Sequence, residues 1–266
     1  MKILAASDIH LGRPGWSPEP ERLILRIKED IRRHRPDVLL LGGDLIEPGE
    51  RPLEEVLGAF EDIPLAKLWV VGNDDLEALQ GPLSGYAEEA QKLAEPFGFH
   101  VLDHAPWSHQ EYRVIGNLGW FDGSLWRAYE PEPVWSKEEV TEQAEAWLQD
   151  TFGPRADLTN AELFVHCQQT LIHHHCQACE EPHVRVVRMT HTVPSRKMVL
   201  YGESAKHDYM NHFMGWEDGH SLNYLSQFRV ALQLCGHTHR QQVLLGKRRP
   251  PLINVSGLGQ PRLLEV

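Results

Sequence analysis

Two apolar patterns alternate along the chain: short runs that are apolar at successive positions, and longer stretches in which apolar residues recur every three to four positions. The short runs predict strands at Lys2–Ser7, Asp37–Leu41, Lys67–Val71, His100–Leu102, Tyr112–Leu118, Val184–Thr190, Val230–Cys235, Gln242–Leu245 and Leu252–Val255. Val38-Leu39-Leu40-Leu41 is apolar toward both faces, which implies a sheet covered on both sides. The helical pattern is clearest where Leu23, Ile24, Ile27 and Ile31 form one stripe, opened by Ser17-Pro18 and closed by Pro36. Further helices are predicted over 52–61 and 84–95. This β-α-β-α-β opening points to a layered α/β architecture with parallel or mixed pairing. The last three strands, joined by short turns, read as antiparallel.

Residues 136–180 read as two helices in succession, a helical insertion at about 120–182 on a single domain spanning 1–266. Thr159-Asn160-Ala161-Glu162 fits a capping box, with Leu158 and Leu163 placed as a hydrophobic staple. In the second helix Ala161, Val165, Ile172, Cys176 and Cys179 share one face, which reads as the side turned to the core. On that reading the last two cysteines are packing groups, although Cys167, His173, His174, His175 and His183 nearby would otherwise suggest structural zinc.

Composition narrows the function classes. Hydrophobic residues make up 41% and charged residues 24% of the 266 residues, as in an ordinary globular protein. No apolar run is long enough to span a bilayer, and Met1-Lys2 leads straight into a strand rather than a signal peptide, so a cytoplasmic location is expected. The four cysteines are then expected as thiols. A formal charge of −12 disfavours gripping extended nucleic acid through a broad basic face. Bound cations would still let the chain attract a phosphate locally.

The chemistry gathers where strands end. Asp8 and His10 follow the first strand; Asp44 follows the second in Gly42-Gly43-Asp44; Asn73 follows the third in Gly72-Asn73-Asp74-Asp75. His191 follows Val184–Thr190, and His237 and His239 follow Val230–Cys235 in Gly236-His237-Thr238-His239. Ligands of α/β sheets bind at that edge. Alternate residues leaving a strand point to one side, so each D-x-H or H-x-H pair can reach one cluster. Mixed carboxylate, imidazole and amide donors suit Mn, Fe, Zn or Ni better than an all-oxygen calcium site. His166 competes with His191, but it lies within a predicted helix.

These blocks, in this order over residues 1–240, resemble the motif set of the calcineurin-like metallophosphoesterase superfamily. The resemblance implies a two-sheet β-sandwich flanked by helices. It also implies two divalent ions, with Mn foremost for activity. Asp8, His10, Asp44 and His239 would hold one, and Asp44, Asn73, His191 and His237 the other. Two such ions about 4 Å apart can share a hydroxide and polarise a phosphoryl group for in-line attack. The expected activity is hydrolysis of small phosphoesters, with Asp74 and Asp75 as candidate catalytic residues and Arg13, Trp16 and Arg196 as candidate substrate contacts.

One position departs from the family pattern: most relatives place His after Gly-Asn, where this chain has Asp74. Next to two cations a carboxylate is ionised and makes a poor general acid at neutral pH. The expectation is a preference for phosphodiesters, activated esters or small nucleotide-like substrates over simple alkyl monoesters. Two alternatives remain at this point. One is a DNA nuclease of the same superfamily, whose opening Ser7-Asp8-Ile9-His10-Leu11-Gly12 resembles; the other is a non-catalytic metal-binding scaffold. The aromatics Trp107, Trp120, Phe121, Trp126, Tyr129 and Trp135 could stack a base or simply pack. Oligomeric state is not legible.

Overall fold

The structure, a computed structural model, describes residues 1–13, 15, 20–125, 136–199, 215–217, 229–246, 249–256 and 260–266. The strands are β1 (Lys2–Ala6), β2 (Val38–Leu41), β3 (Ala66–Trp69), β4 (Phe99–Val101), β5 (Trp107–His109), β6 (Tyr112–Asn117), β7 (Arg185–Thr190), β8 (Val230–Cys235), β9 (Gln242–Gly246), β10 (Arg249–Asn254) and β11 (Arg262–Glu265). Between them lie α1 (Pro20–His34), α2 (Leu53–Gly58), α3 (Asn73–Ala78), α4 (Tyr86–Ala94), α5 (Lys137–Phe152) and α6 (Asn160–Cys179). A five-stranded sheet, ordered β11-β1-β2-β3-β4, faces a six-stranded sheet, ordered β5-β6-β7-β8-β10-β9. Both are mixed: β1 to β4 run parallel with β11 antiparallel at the edge. In the other sheet β6, β7, β8 and β10 run parallel, with β5 and β9 antiparallel at the edges.

The continuous apolar runs follow from this layering. Ile3, Ala5, Val38, Leu40, Leu68 and Val70 point between the sheets, against Val114, Val187, Met189, Leu232 and Leu234. Their neighbours Leu4, Ala6, Leu39, Leu41 and Trp69 point outward, against the α1 stripe of Leu23, Ile24, Ile27 and Ile31. Both alternate sets are buried, so no polar face remains. Each side chain so buried is worth about 1.5–3 kcal/mol.

All nine expected strands form. Two short edge strands, β5 and β11, carry too little apolar pattern to be read in advance. The C-terminal expectation is corrected: β9 and β10 are antiparallel, but β8 pairs with β10 in parallel. The chain leaves β8, runs out along the edge as β9 and returns as β10 to the inner position. The capping box of α6 is present: Thr159 Oγ1 accepts from Glu162 N at 3.2 Å, and the Glu162 carboxylate accepts from Thr159 N at 2.8 Å.

The inward face of α6 differs from the one expected. Leu163, Cys167, Leu171, His174, His175 and Ala178 are buried, whereas Val165, Ile172 and Cys176 are exposed. The helix lies across two clusters: its first half extends the layer of α5, Trp120 and Phe121, and its second half covers Ile115, Val184 and Val186 on the outer face of the six-stranded sheet. Trp120 and Phe121 are likewise buried, stacked at 4.6 Å, with the indole N–H donating to Asn160 Oδ1 at 3.1 Å. These two aromatics are packing groups and not a stacking platform. Trp107 is half-buried and stacked on His109. Trp16, Trp126, Tyr129 and Trp135 lie outside the described residues.

Candidate metal centre

The loops after β1, β2, β3, β7 and β8 meet at one edge of the two sheets. Asp8 N donates to Gly43 O at 2.9 Å, His10 N to Asp44 O at 3.0 Å and Gly236 N to His191 O at 2.8 Å, so the loops are tied to each other backbone to backbone. Their chains turn sharply. Asp8, His10, Asp44, His237 and His239 all have positive φ, between 48° and 73°. L-residues enter this left-handed region only where surrounding structure over-determines it, and functional sites are where such strain collects. Gly72 makes the approach possible, because a Cβ there would sit 2.1 Å from Asp44 N.

The side chains converge in two overlapping groups. Ligand atoms of Asp8, His10, Asp44 and His239 lie within 4.8 Å of one another, as do those of Asp44, His191 and His237. Asn73 Oδ1 joins the second group, 3.1 Å from His191 Nε2. A third group, His10 with Glu47 and Asp74, adjoins the first. His166 is elsewhere, on α6 against Tyr86. Among the described residues no further group of this kind is found, on α6 or elsewhere.

Each carboxylate is held by one oxygen and offers the other. Asp8 Oδ2 accepts from His237 N at 3.1 Å, while Oδ1 is buried without a hydrogen bond among the described residues, 3.4 Å from His239 Nε2. Asp44 Oδ1 accepts from Asp74 N at 3.0 Å, while Oδ2 lies 3.3 Å from His191 Nε2 and 3.8 Å from His10 Nε2. The imidazoles also meet nitrogen to nitrogen: His10 Nε2 and His239 Nε2 at 2.8 Å, His191 Nε2 and His237 Nδ1 at 3.1 Å.

This arrangement fits divalent cations. His191 Nδ1 is 2.8 Å from Gly42 O, which can only accept, so Nδ1 carries the hydrogen. The neutral ring then turns a lone pair on Nε2 toward Asp44 Oδ2 and Asn73 Oδ1, both acceptors. Without a positive charge among them these atoms repel. Burial opposes a proton on His191, but the charge and hydrogen bond of Asp44, with Asp8 and Gly42 O, outweigh it and raise its pKa to about 10. Burial likewise opposes the Asp44 charge, and His191 overcomes it, holding the carboxyl well below its usual range. His237 is pushed down to about 4, by burial and then by His191, since adjacent rings cannot both be protonated. The cluster demands positive charge, and a cation bound by lone pairs supplies it.

Asp75 is not in contact with this space. It is fully buried and accepts from Leu45 N at 2.7 Å, Gly72 N at 3.0 Å and Trp69 Nε1 at 3.3 Å. The candidate catalytic acid is thus a strut joining the Asp44 and Asn73 loops, and burial, then Asp44, push its pKa up to about 7. Arg196 is committed to Glu217, which accepts from its backbone N at 2.7 Å and its Nε at 3.0 Å. Arg13 lies 3.7 Å from Glu47 and lines an open groove of about 440 Å³ with Gly12 and Arg51.

Sequence reasoning missed two other struts. Asp103, buried after β4, accepts from Val71 N at 3.0 Å, Leu118 N at 2.7 Å and Tyr86 Oη at 2.9 Å, joining one sheet to the other beside the cluster. Asn254, buried at the end of β10, donates to Gly236 O at 2.9 Å and Thr238 Oγ1 at 2.8 Å, which shapes the His237–His239 turn. Asp103 is a polar residue just after an apolar strand, the same signal that picked out the cluster itself; Asn254 lies inside β10 and carries no such signal.

Fold and site together define an α/β sandwich with a cluster of possible metal ligands at its strand ends. The family model for calcineurin-like phosphoesterases matches residues 1–241, and the chain belongs to that family of two-metal hydrolases of phosphoesters. No curated protein matches it. Among solved structures it is similar to phosphopantetheinyl hydrolase from Mycobacterium tuberculosis, with TM-score 0.65 and 15% identity over 96% of this chain and 89% of that one. A dimetal phosphatase from Danio rerio gives 0.58 and 15% over 97% and 88%. The protein TT1561 of Thermus thermophilus gives 0.55 and 16% over 99% and 93%. At these identities the likeness is one of fold. Among the described residues no helix is long and apolar enough to cross a membrane.

Proposed function

We propose that this chain hydrolyses phosphodiesters or activated, small nucleotide-like phosphoesters at a centre of two divalent ions, Mn being the ion for activity. Asp8, His10, Asp44 and His239 would hold one ion, and Asp44, Asn73, His191 and His237 the other. The observation that carries the reading is the convergence of Asp44 Oδ2, Asn73 Oδ1 and His237 Nδ1 on His191 Nε2, while its other nitrogen is bound to Gly42 O. When bound, the ions supply Lewis acidity, lowering the pKa of a water and neutralising charge on the phosphoryl oxygens. The chain's own part is placement: carboxylate oxygens and rings brought to one point by loops tied backbone to backbone. Arg13, which lines the groove beside the β1 loop, would meet a second anionic or polar portion of the ester.

The substrate preference rests on Asp74. Its Oδ1 accepts from Asn73 Nδ2 at 2.7 Å and its Oδ2 lies 3.1 Å from His10 Nδ1. Both oxygens are engaged, and beside two cations the group would be ionised, so position 74 offers no proton to a poor leaving group. Esters whose leaving group departs without one are favoured. The test compares bis-p-nitrophenyl phosphate with p-nitrophenyl phosphate, with Mn present. Higher kcat/KM on the diester is expected; faster turnover of the monoester defeats the preference, and no metal-dependent turnover of either defeats the reading.

A further inference from the structure

The contacts of Asp74 point to a role beyond proton transfer. We infer that Asp74 is a positioning residue that selects both the amide orientation of Asn73 and the ring tautomer of His10, so that one carboxylate sets a donor atom for each of the two ions. The inference rests on the two-ion reading above.

The argument is one of complementary atoms. Asn73 can turn either its oxygen or its NH₂ toward the cluster, and the two orientations occupy the same space. Asp74 Oδ1 can only accept, so it holds Asn73 Nδ2 at 2.7 Å and leaves Asn73 Oδ1 facing His191 and the second ion's position. His10 poses the same choice between its two nitrogens. Asp74 Oδ2 at 3.1 Å and Glu47 Oε2 at 3.6 Å surround Nδ1 with negative charge, which draws the ring hydrogen to that side. Nε2 then keeps its lone pair toward Asp44, at the first ion's position. A third contact completes the clamp: the backbone N–H of Asp74 fixes Asp44 Oδ1, and Asp44 belongs to both groups. An imidazole at position 74 offers at most one acceptor nitrogen, so it could not satisfy Asn73 and His10 together. On this view the departure from the family pattern exchanges a proton donor for a part of the metal-holding frame.

Position 74 is on the first turn of α3 and partly exposed, so modest changes there are compatible with folding. The decisive variant is Asp74→Asn, which keeps the shape but places an NH₂ where an acceptor is required. The measurement is calorimetric titration of the metal-stripped protein with Mn, beside a thermal melt of the stripped protein. Both Asp74→Asn and Asp74→Ala are expected to bind two ions about 10- to 100-fold more weakly, the usual cost of losing a partner behind a ligand, with the melt unchanged. Wild-type affinity in Asp74→Asn, with only kcat reduced, overturns the inference in favour of direct proton transfer. Loss of one ion outright, with the other unaffected, overturns it in favour of Asp74 as a ligand. Damage by Ala but not by Asn overturns it in favour of size alone. If the wild-type chain takes up no Mn, the two-ion reading itself fails, and the inference with it.

Discussion

Histidines gather in two regions of this molecule, and the two differ in whether carboxylates face the rings, although His237 at the strand ends is itself pushed down to about 4, by burial and then by His191. At the strand ends His10, His191, His237 and His239 surround Asp8 and Asp44, and carboxylate charge raises His191 to a pKa of about 10. On α6, His174 and His175 are just as inaccessible to solvent, yet both are pushed down to about 4. Burial is the leading cause in each case and opposes protonation in each. What differs is the partner. His174 is faced by His173, His104 and His100, and His175 by Arg188, with no carboxylate among the groups acting on either. A buried histidine is a place for positive charge only where acids are built around it; elsewhere it is a bulky neutral packing group.

The sharpest way to break this contrast is to remove the acid common to both metal-ligand groups. Asp44→Asn is nearly isosteric, but it deletes the charge that faces His10 and His191. Manganese titration is expected to fall from two ions to none. Metal-dependent hydrolysis should drop by about 1,000-fold or more, since the ions' charge stabilisation is worth several kcal/mol. Retention of two tightly bound ions would erase the distinction drawn between the two regions.

A smaller effect separates an acid inside the cluster from one beside it. Asp75→Asn keeps one acceptor oxygen but puts an NH₂ either against the Leu45 N–H or against the N–H groups of Gly72 and Trp69. An unsatisfied buried polar group costs about 1–3 kcal/mol. For a chain of this size each kcal/mol lowers Tm by about 2–4 °C. The melt of the metal-free protein should therefore fall, unlike that of Asp74→Asn, and both ions should still bind, unlike in Asp44→Asn. Loss of turnover with an unchanged melt would return Asp75 to a catalytic role.

How far the sequence carries follows the same division. The strands and the residues after them are legible because a strand buried on both faces has no polar option, so the first polar residues beyond it stand out. The loops that bring Asp8, Asp44, His191 and His239 together are short, which leaves little freedom in where those residues end up. Asp75 is harder to read, because an acid adjacent to Asn73 looks the same in sequence whether it faces a substrate or a backbone N–H. The phase of α6 is least legible. Its residues are mixed on every side, so Val165 and Ile172 suggest one inward face while Leu163, Cys167 and Leu171 occupy the other. Tertiary contacts with Trp120, Phe121 and Ile115 decided the outcome, and these lie far away in the chain.

That helix supplies the mildest test, which sharpens the contrast through pH. The pKa values of His174 and His175 are lowered to about 4 in the fold, against 6.5 unfolded. Between those limits the unfolded chain binds more protons than the folded one, so stability is fully present above pH 6.5 and is lost as pH falls toward 4. A full shift of this size corresponds to about 3 kcal/mol per ring. Neighbouring histidines that also charge in acid, and local relaxation, reduce the expected loss to about 1–3 kcal/mol. His174→Leu gives up a hydrogen bond to the His104 backbone, which lowers stability at both pH values alike, and removes one titrating ring. Urea midpoints at pH 7.5 and pH 4.5 should lie closer together in the variant than in the wild type. An unchanged gap would mean that the His174 ring does not carry the loss of stability in acid, and the contrast drawn from it would fail.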